Sequence, residues 1–151
     1  NRRRYPPRPL HGPEGGAVIL LDTDICIELL RGNRSILDRR EREAADVAVT
    51  FMTAGELFYG AARSSKPDAN RERVERFLLT VGCVETDREI MRRFGEEKAR
   101  REAQGHRLPD ADILIAAAAL RHNARLVSGN LKHFRRFPGL PAEDWSDRAK
   151  D

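Results

Sequence analysis

Short runs of consecutive apolar residues alternate along the chain with longer stretches in which apolar positions recur every three or four residues. Ala17–Leu21, Val47–Phe51, Cys83–Thr86 and Arg125–Ser128 are of the first kind, with β-branched residues prominent, and they predict strands. A strand apolar at successive positions presents hydrophobic side chains on both faces, so both faces must be covered. The second kind predicts helices over Thr23–Leu30, Ser35–Ala45, from Thr53 onward, from Pro67 through Val74, Phe77, Leu78 and Val81, and from Asp87 to about Gln104. Pro109 opens a further helix whose body, Ile113–Leu120, is apolar on every side and is expected to be buried. Gly32 fits the left-handed position that ends a helix, and Gly129-Asn130 reads as a turn. A last strand is expected at Leu140–Asp144. Strands alternating with helices imply a mainly parallel sheet, and covering both its faces gives a three-layer α/β/α sandwich.

The chain ends change this picture little. Asn1–Gly16 is rich in proline and glycine without periodicity and is expected to be a flexible basic extension. Residues 17–145 form the domain, and 146–151 a polar tail. Arg2, Arg3, Arg4 and Arg8 stand in that first segment against Glu14 alone, so most of the net charge of +4 lies there and the rest of the chain is close to neutral. The high pI is therefore weak support for nucleic-acid binding by the domain itself. No apolar run is long enough to span a membrane, no apolar core follows the N-terminal arginines, and Cys26 and Cys83 suit buried positions in a reduced protein. Together these predict a cytoplasmic protein.

Chemistry is expected where strands end, because open α/β sheets bind ligands outside the carboxyl ends of their strands. Asp22 follows the first strand, Glu56 lies in the helix after the second, and Ser128-Gly129-Asn130 follows the fourth. Asp112 lies in the first turn of the helix leading into that fourth strand, on the same edge. Each has an ordinary explanation. Asp22 can cap the helix that follows it, Thr53-x-x-Glu56 has the form of a capping box, Asp112 complements a helix dipole, and Ser128 and Asn130 are turn formers. The joint pattern is more telling, since carboxylates brought to one edge repel unless a cation compensates them. An all-oxygen set favours a hard ion, Mg²⁺ or Mn²⁺. His11, His106, His122 and His133 are scattered and read as surface residues.

These residues carry a resemblance. Leu20-Leu21-Asp22-Thr23-Asp24, Thr53-x-x-Glu56-Leu57-x-x-Gly60, Asp112-x-x-Ile115-Ala116-Ala117 and Leu126-Val127-Ser128-Gly129-Asn130-x-x-x-Phe134 look like the signature blocks of PIN-domain ribonucleases, and among them of VapC-type toxins. The likeness runs from Val18 to about Trp145. It implies a cytoplasmic, Mg²⁺/Mn²⁺-dependent endoribonuclease that leaves a 3′-hydroxyl and a 5′-phosphate. It also implies a homodimer held inactive by a VapB-type antitoxin. By this resemblance the catalytic set is Asp22, Glu56, Asp112 and Asn130, and the metal ligands are Asp22, Asp112 and Glu56. Asp24 stands where such toxins often have Asn, and Asn130 where they have a fourth acid, which brings no charge for a second metal.

Two other readings compete. A haloacid-dehalogenase-like phosphatase also begins strand–Asp-x-Asp, with Asp22 as nucleophile and Asp24 as acid, but Lys132, Asp110 and Asp112 occur in the wrong order for that class. A PIN-like module that binds RNA or protein without turnover is the third reading. Arg92, Arg93, Lys98, Arg100, Arg101 and Arg107 either hold an RNA backbone or form a solvated face balanced by Glu89, Glu96, Glu97 and Glu102.

Overall fold

A computed structural model describes residues 17–146, so the expected N-terminal extension and the tail beyond Ser146 lie outside the described residues. Its strands are β1 (Val18–Leu21), β2 (Asp46–Thr50), β3 (Gly82–Val84), β4 (Arg125–Val127) and β5 (Ala142–Glu143). They form a single sheet in the order β3-β2-β1-β4-β5, and every neighbouring pair is parallel. Central β1 sets Leu20 opposite Ala48 on one side and Leu126 on the other.

The alternation of side chains along the strands builds both outer layers. Ile19 and Leu21 of β1, Val49 of β2 and Val127 of β4 face α1 (Thr23–Leu30), α2 (Arg34–Glu41), α3 (Phe51–Arg63) and α4 (Pro67–Leu78). The intervening Leu20, Ala48 and Leu126 face α5 (Arg88–Ala103), α6 (Asp110–Arg121) and the short α7 (Leu131–Phe134). Ile19, Leu20, Leu21 and Leu126 are wholly excluded from solvent, and each such side chain contributes about 1.5–3 kcal/mol of burial. The three-layer sandwich expected from the apolar pattern is the fold observed.

Helix ends follow local chemistry. Asn33 caps α2 through Ile36 N–H, Pro67 opens α4 at the position where its missing N–H costs nothing, and Asp87 caps α5 through Ile90 N–H. Gly32 (φ 78°) and Gly105 (φ 73°) take the left-handed conformation just past α1 and α5. In α6, Ile113 and Ile115–Ala119 are buried, as an all-apolar helix requires.

Several boundaries depart from expectation. Helix α2 ends at Glu41 rather than Ala45. Strand β2 stops at Thr50, whose Oγ accepts Thr53 N–H at 3.1 Å, and Phe51 becomes the first residue of α3 rather than the end of the strand. Strand β5 shrinks to Ala142–Glu143, and α7 stands where only a turn was expected.

Candidate active site

Strand β1 hands over to α1 at Asp22, whose backbone N–H still bonds Val127 O of β4 at 2.9 Å. This fixes Asp22 at the carboxyl edge of the sheet, with its side chain among the strand ends. Its Oδ1 accepts Thr23 N–H at 2.8 Å, and its Oδ2 accepts the Ser128 hydroxyl at 2.7 Å. Ser128, itself fully buried, also accepts Asn130 N–H at 2.9 Å. Two residues on, Asp24 accepts Ile25 N–H at 2.8 Å and Gly129 N–H at 2.9 Å. A Cβ on Gly129 would lie 2.6 Å from Asp24 Oδ2, so this position has room only for glycine while Asp24 keeps its place. The ends of β1 and β4 are thus joined twice, through Asp22–Ser128 and Asp24–Gly129.

Glu56 comes to the same edge from α3. Thr23 Oγ donates to Glu56 Oε1 at 2.8 Å and lies 3.1 Å from Thr53 Oγ. The capping box read from Thr53-x-x-Glu56 is not formed. Thr50 caps the helix, Thr53 lies inside it and is buried, and the Glu56 carboxylate is turned to α1. A polar residue already inside the helix has no free N-terminal N–H to satisfy, which leaves Glu56 available for chemistry.

Asp112 approaches from the opposite layer, in the first turn of α6. Its Oδ2 lies 2.6 Å from His133 Nδ1 on α7, so His133 is not the unattached surface residue expected. Asn130 is exposed at the start of α7 and makes no side-chain hydrogen bond among the described residues. Its backbone, rather than its amide, joins the Ser128 network. Asp144, just past β5, is a further acid that the sequence reading missed. Its charge reaches Asp24, and its only signal was an acid at the end of the last expected strand.

Electrostatically Asp24 and Asp112 act on Asp22, and Asp112 and Asp144 act on Asp24. Burial pushes the Asp22 carboxyl up to about 6, Asp24 and Asp112 push the same way, and the Ser128 hydroxyl and Thr23 N–H oppose them. Burial also raises Asp24, reinforced by Asp144 and Asp112 and opposed by the N–H groups of Gly129 and Ile25. Among the described residues no three His, Cys, Asp or Glu side chains are disposed to enclose an ion by themselves. The donors nevertheless fit Mg²⁺ or Mn²⁺ by chemistry. They are carboxylate oxygens under mutual repulsion, and Mg²⁺ is commonly held by one or two carboxylates with water completing its shell.

Most of the basic residues considered for RNA contact are already paired. Arg92 bonds Glu89 and Glu96, Arg93 bonds Glu89, Lys98 bonds Asp110 and Arg100 bonds Glu97. Arg101 is buried, stacked 3.8 Å over Phe137, and bonds Arg136 O. This is the balanced helix face. Elsewhere, a groove of about 310 Å³ between α1, α3 and α4 opens beside Glu56 and is lined by Ile27, Leu30, Leu57, Ala61 and Val74.

A parallel sandwich with Asp, Glu and Asp brought to the carboxyl edge defines the PIN class, and the PIN-domain family model matches residues 19–140. The chain belongs to the PIN-domain family. It is 35% identical over 127 residues to Ribonuclease VapC2 of Haemophilus influenzae, covering 83% of this chain and 96% of that protein. It is 30% identical over 128 residues to the tRNA(fMet)-specific endonuclease VapC of Shigella flexneri, covering 84% and 97%. Among solved structures, VapBC2 from Rickettsia felis bound to a promoter DNA fragment superposes with a TM-score of 0.79 at 28% identity, covering 85% of this chain and 99% of that one. Family membership removes the dehalogenase-like phosphatase from consideration. No helix among the described residues is long and apolar enough to cross a membrane.

Proposed function

We propose that this protein is an endoribonuclease that hydrolyses RNA phosphodiester bonds with the help of Mg²⁺ or Mn²⁺, and that it is the toxin of a toxin–antitoxin pair. The observation that carries the reading is the convergence of acids from opposite layers of the sandwich on one edge of the sheet, with Asp22 bonded to Ser128 and Asp24 to Gly129 just past β4, Glu56 bonded to Thr23 and Asp112 bonded to His133. The ribonuclease and endonuclease names of its relatives, and the VapBC complexes among its structural neighbours, support the activity and the antitoxin partner. The apolar groove beside Glu56 offers such a partner a place next to the site.

Asp22 and Asp112 would hold the ion, which when bound supplies positive charge at the phosphate and acidifies a neighbouring water. Glu56, held on Oε1 by Thr23, has its second oxygen free to orient that water and take its proton. Water oxygen then bonds to phosphorus as the bond from phosphorus to the 3′ oxygen breaks, the leaving oxygen is protonated from solvent, and a 3′-hydroxyl and a 5′-phosphate result. Glu56 would thus act on the water, and through that water would help hold the ion. Asn130 borders the site as a polar, uncharged neighbour.

The test is cleavage of a labelled RNA across a Mn²⁺ series and in chelator, with end-group mapping and with a co-purified VapB-type protein added back. The expected result is metal-dependent scission that leaves 5′-phosphates and is suppressed by the partner. RNA binding without turnover in any metal would favour the non-catalytic module, and undiminished cleavage in chelator would remove the ion from the mechanism.

A further inference from the structure

We propose that His133 is a positioning residue for Asp112, holding Oδ2 of that carboxylate so that Oδ1 is the oxygen presented to the divalent ion. The inference rests on the metal-dependent reading above and deepens it by naming the group that orients one of its ligands. An ionised carboxylate only accepts hydrogen bonds, so at 2.6 Å the Nδ1 of His133 must be the donor. That proton is present both on the charged ring and on one neutral tautomer, so the contact does not depend on the charge of the ring.

The way the other acids are held shows why such a partner is needed. Asp22 is fixed by Thr23 N–H and Ser128, Asp24 by the N–H groups of Ile25 and Gly129, and Glu56 by Thr23. The Asp112 carboxylate has no hydrogen-bond partner other than His133 among the described residues, and Pro109 before it provides no side-chain cap. A carboxylate free to rotate in the field of Asp22 and Asp24 would swing away from both, which is the wrong direction for a shared ion. The donor stands on a firm base. Phe134 beside His133 is wholly buried, its ring lies 6.4 Å from that of Phe137, and His133 N–H bonds Asn130 O at 3.0 Å. Donors of this kind, one bond removed from a metal, orient the ligand and raise its affinity for the ion.

The experiment is calorimetric Mn²⁺ titration of the whole protein as wild type, His133→Asn, His133→Ala and, as a control that removes the ligand's charge, Asp112→Asn. Asn carries its amide nitrogen at the δ position, where Nδ1 sits, and so keeps the donor without the ring. Expected is a Mn²⁺ affinity about 10–100-fold weaker in His133→Ala and within about threefold of wild type in His133→Asn. RNA cleavage by His133→Ala should recover as Mn²⁺ is raised, since the bond acts on ion binding and not on the reacting atoms. Equal affinity in wild type and His133→Ala overturns the proposal. So does His133→Asn binding as weakly as His133→Ala, which would make the ring's packing the cause. Absence of Mn²⁺ binding by the wild type would instead bring down the metal-dependent reading, and the role of His133 with it.

Discussion

Replacing Asp22 by Asn is expected to stabilise the metal-free protein above neutral pH while abolishing metal-dependent cleavage. The carboxyl of Asp22, 6% exposed, ionises at about 6 in the folded chain against an ordinary 3.8, a difference worth about 3 kcal/mol. Because the folded value is the higher one, the unfolded chain releases this proton first. Below pH 3.8 both states are protonated and the group contributes nothing. As pH rises from 3.8 through about 6 the native state loses stability relative to the unfolded, and above that the loss is complete. Asn does not titrate and escapes this loss. It can still accept Thr23 N–H, and Ser128 can turn to accept from the new amide, leaving one hydroxyl proton without a partner at a cost of about 1 kcal/mol. The variant should therefore be slightly less stable than wild type near pH 4 and about 2 kcal/mol more stable at pH 7.5. Urea unfolding of both proteins in chelator at pH 4, 5.5 and 7.5 measures this. A stability difference that is the same at all three pH values, or a variant weaker at pH 7.5, would refute the account of Asp22 as a buried, repelled carboxylate.

The other expectations address the remaining members of the edge. Glu56→Gln keeps an acceptor for Thr23 and leaves the Thr50 cap untouched, so the urea midpoint should stay where it is while the cleavage rate falls by about 10²-fold or more; retained activity removes Glu56 from the site. Gly129→Ala places a Cβ against Asp24 and should cost about 1–2 kcal/mol. That cost should shrink in an Asp24→Ala background, and a double-mutant cycle with no coupling would show that the two positions do not compete for space. Asn130→Asp adds a negative charge at the start of α7, and the Mn²⁺-dependent rise in melting temperature should grow in the variant. Parallel melting curves for the two proteins across the Mn²⁺ series would place the Asn130 side chain outside the ion's reach.

What could be read in the sequence depended on whether the determining contacts were local. The runs at Val18, Val47 and Leu126 announce strands because a two-sided apolar pattern has few other uses. Asp22, Glu56 and Asp112 were legible because each abuts such a run or a buried helix. The start of α3 was not. Thr50-Phe51-Met52-Thr53 and Thr53-Ala54-Gly55-Glu56 both resemble capping sequences, and the second carries the stronger signature. Only the end of the ladder at Thr50 decides for the first. Helix α7 is too short for periodicity to announce and is held by a single buried ring, Phe134. The His133–Asp112 contact joins residues 21 apart on separate elements, for which no spacing rule exists. Asp24 looked like a departure from the family, yet in the structure it makes the second junction between β1 and β4.

That double junction bears on how the protein is made. Asp22 and Ser128 lie 106 residues apart, so at ribosomal speeds of about 5–20 residues per second the second is added about 5–20 s after the first. Until then β1 has its β2 neighbour but no β4, Asp22 lacks the hydroxyl that orients it, and Asp112 lacks His133. A nascent or prematurely ended chain therefore carries the acids of a nuclease without the geometry of one. The arrangement of acids at the sheet edge is assembled only once β4 and α7 have been added, long after the first of those acids.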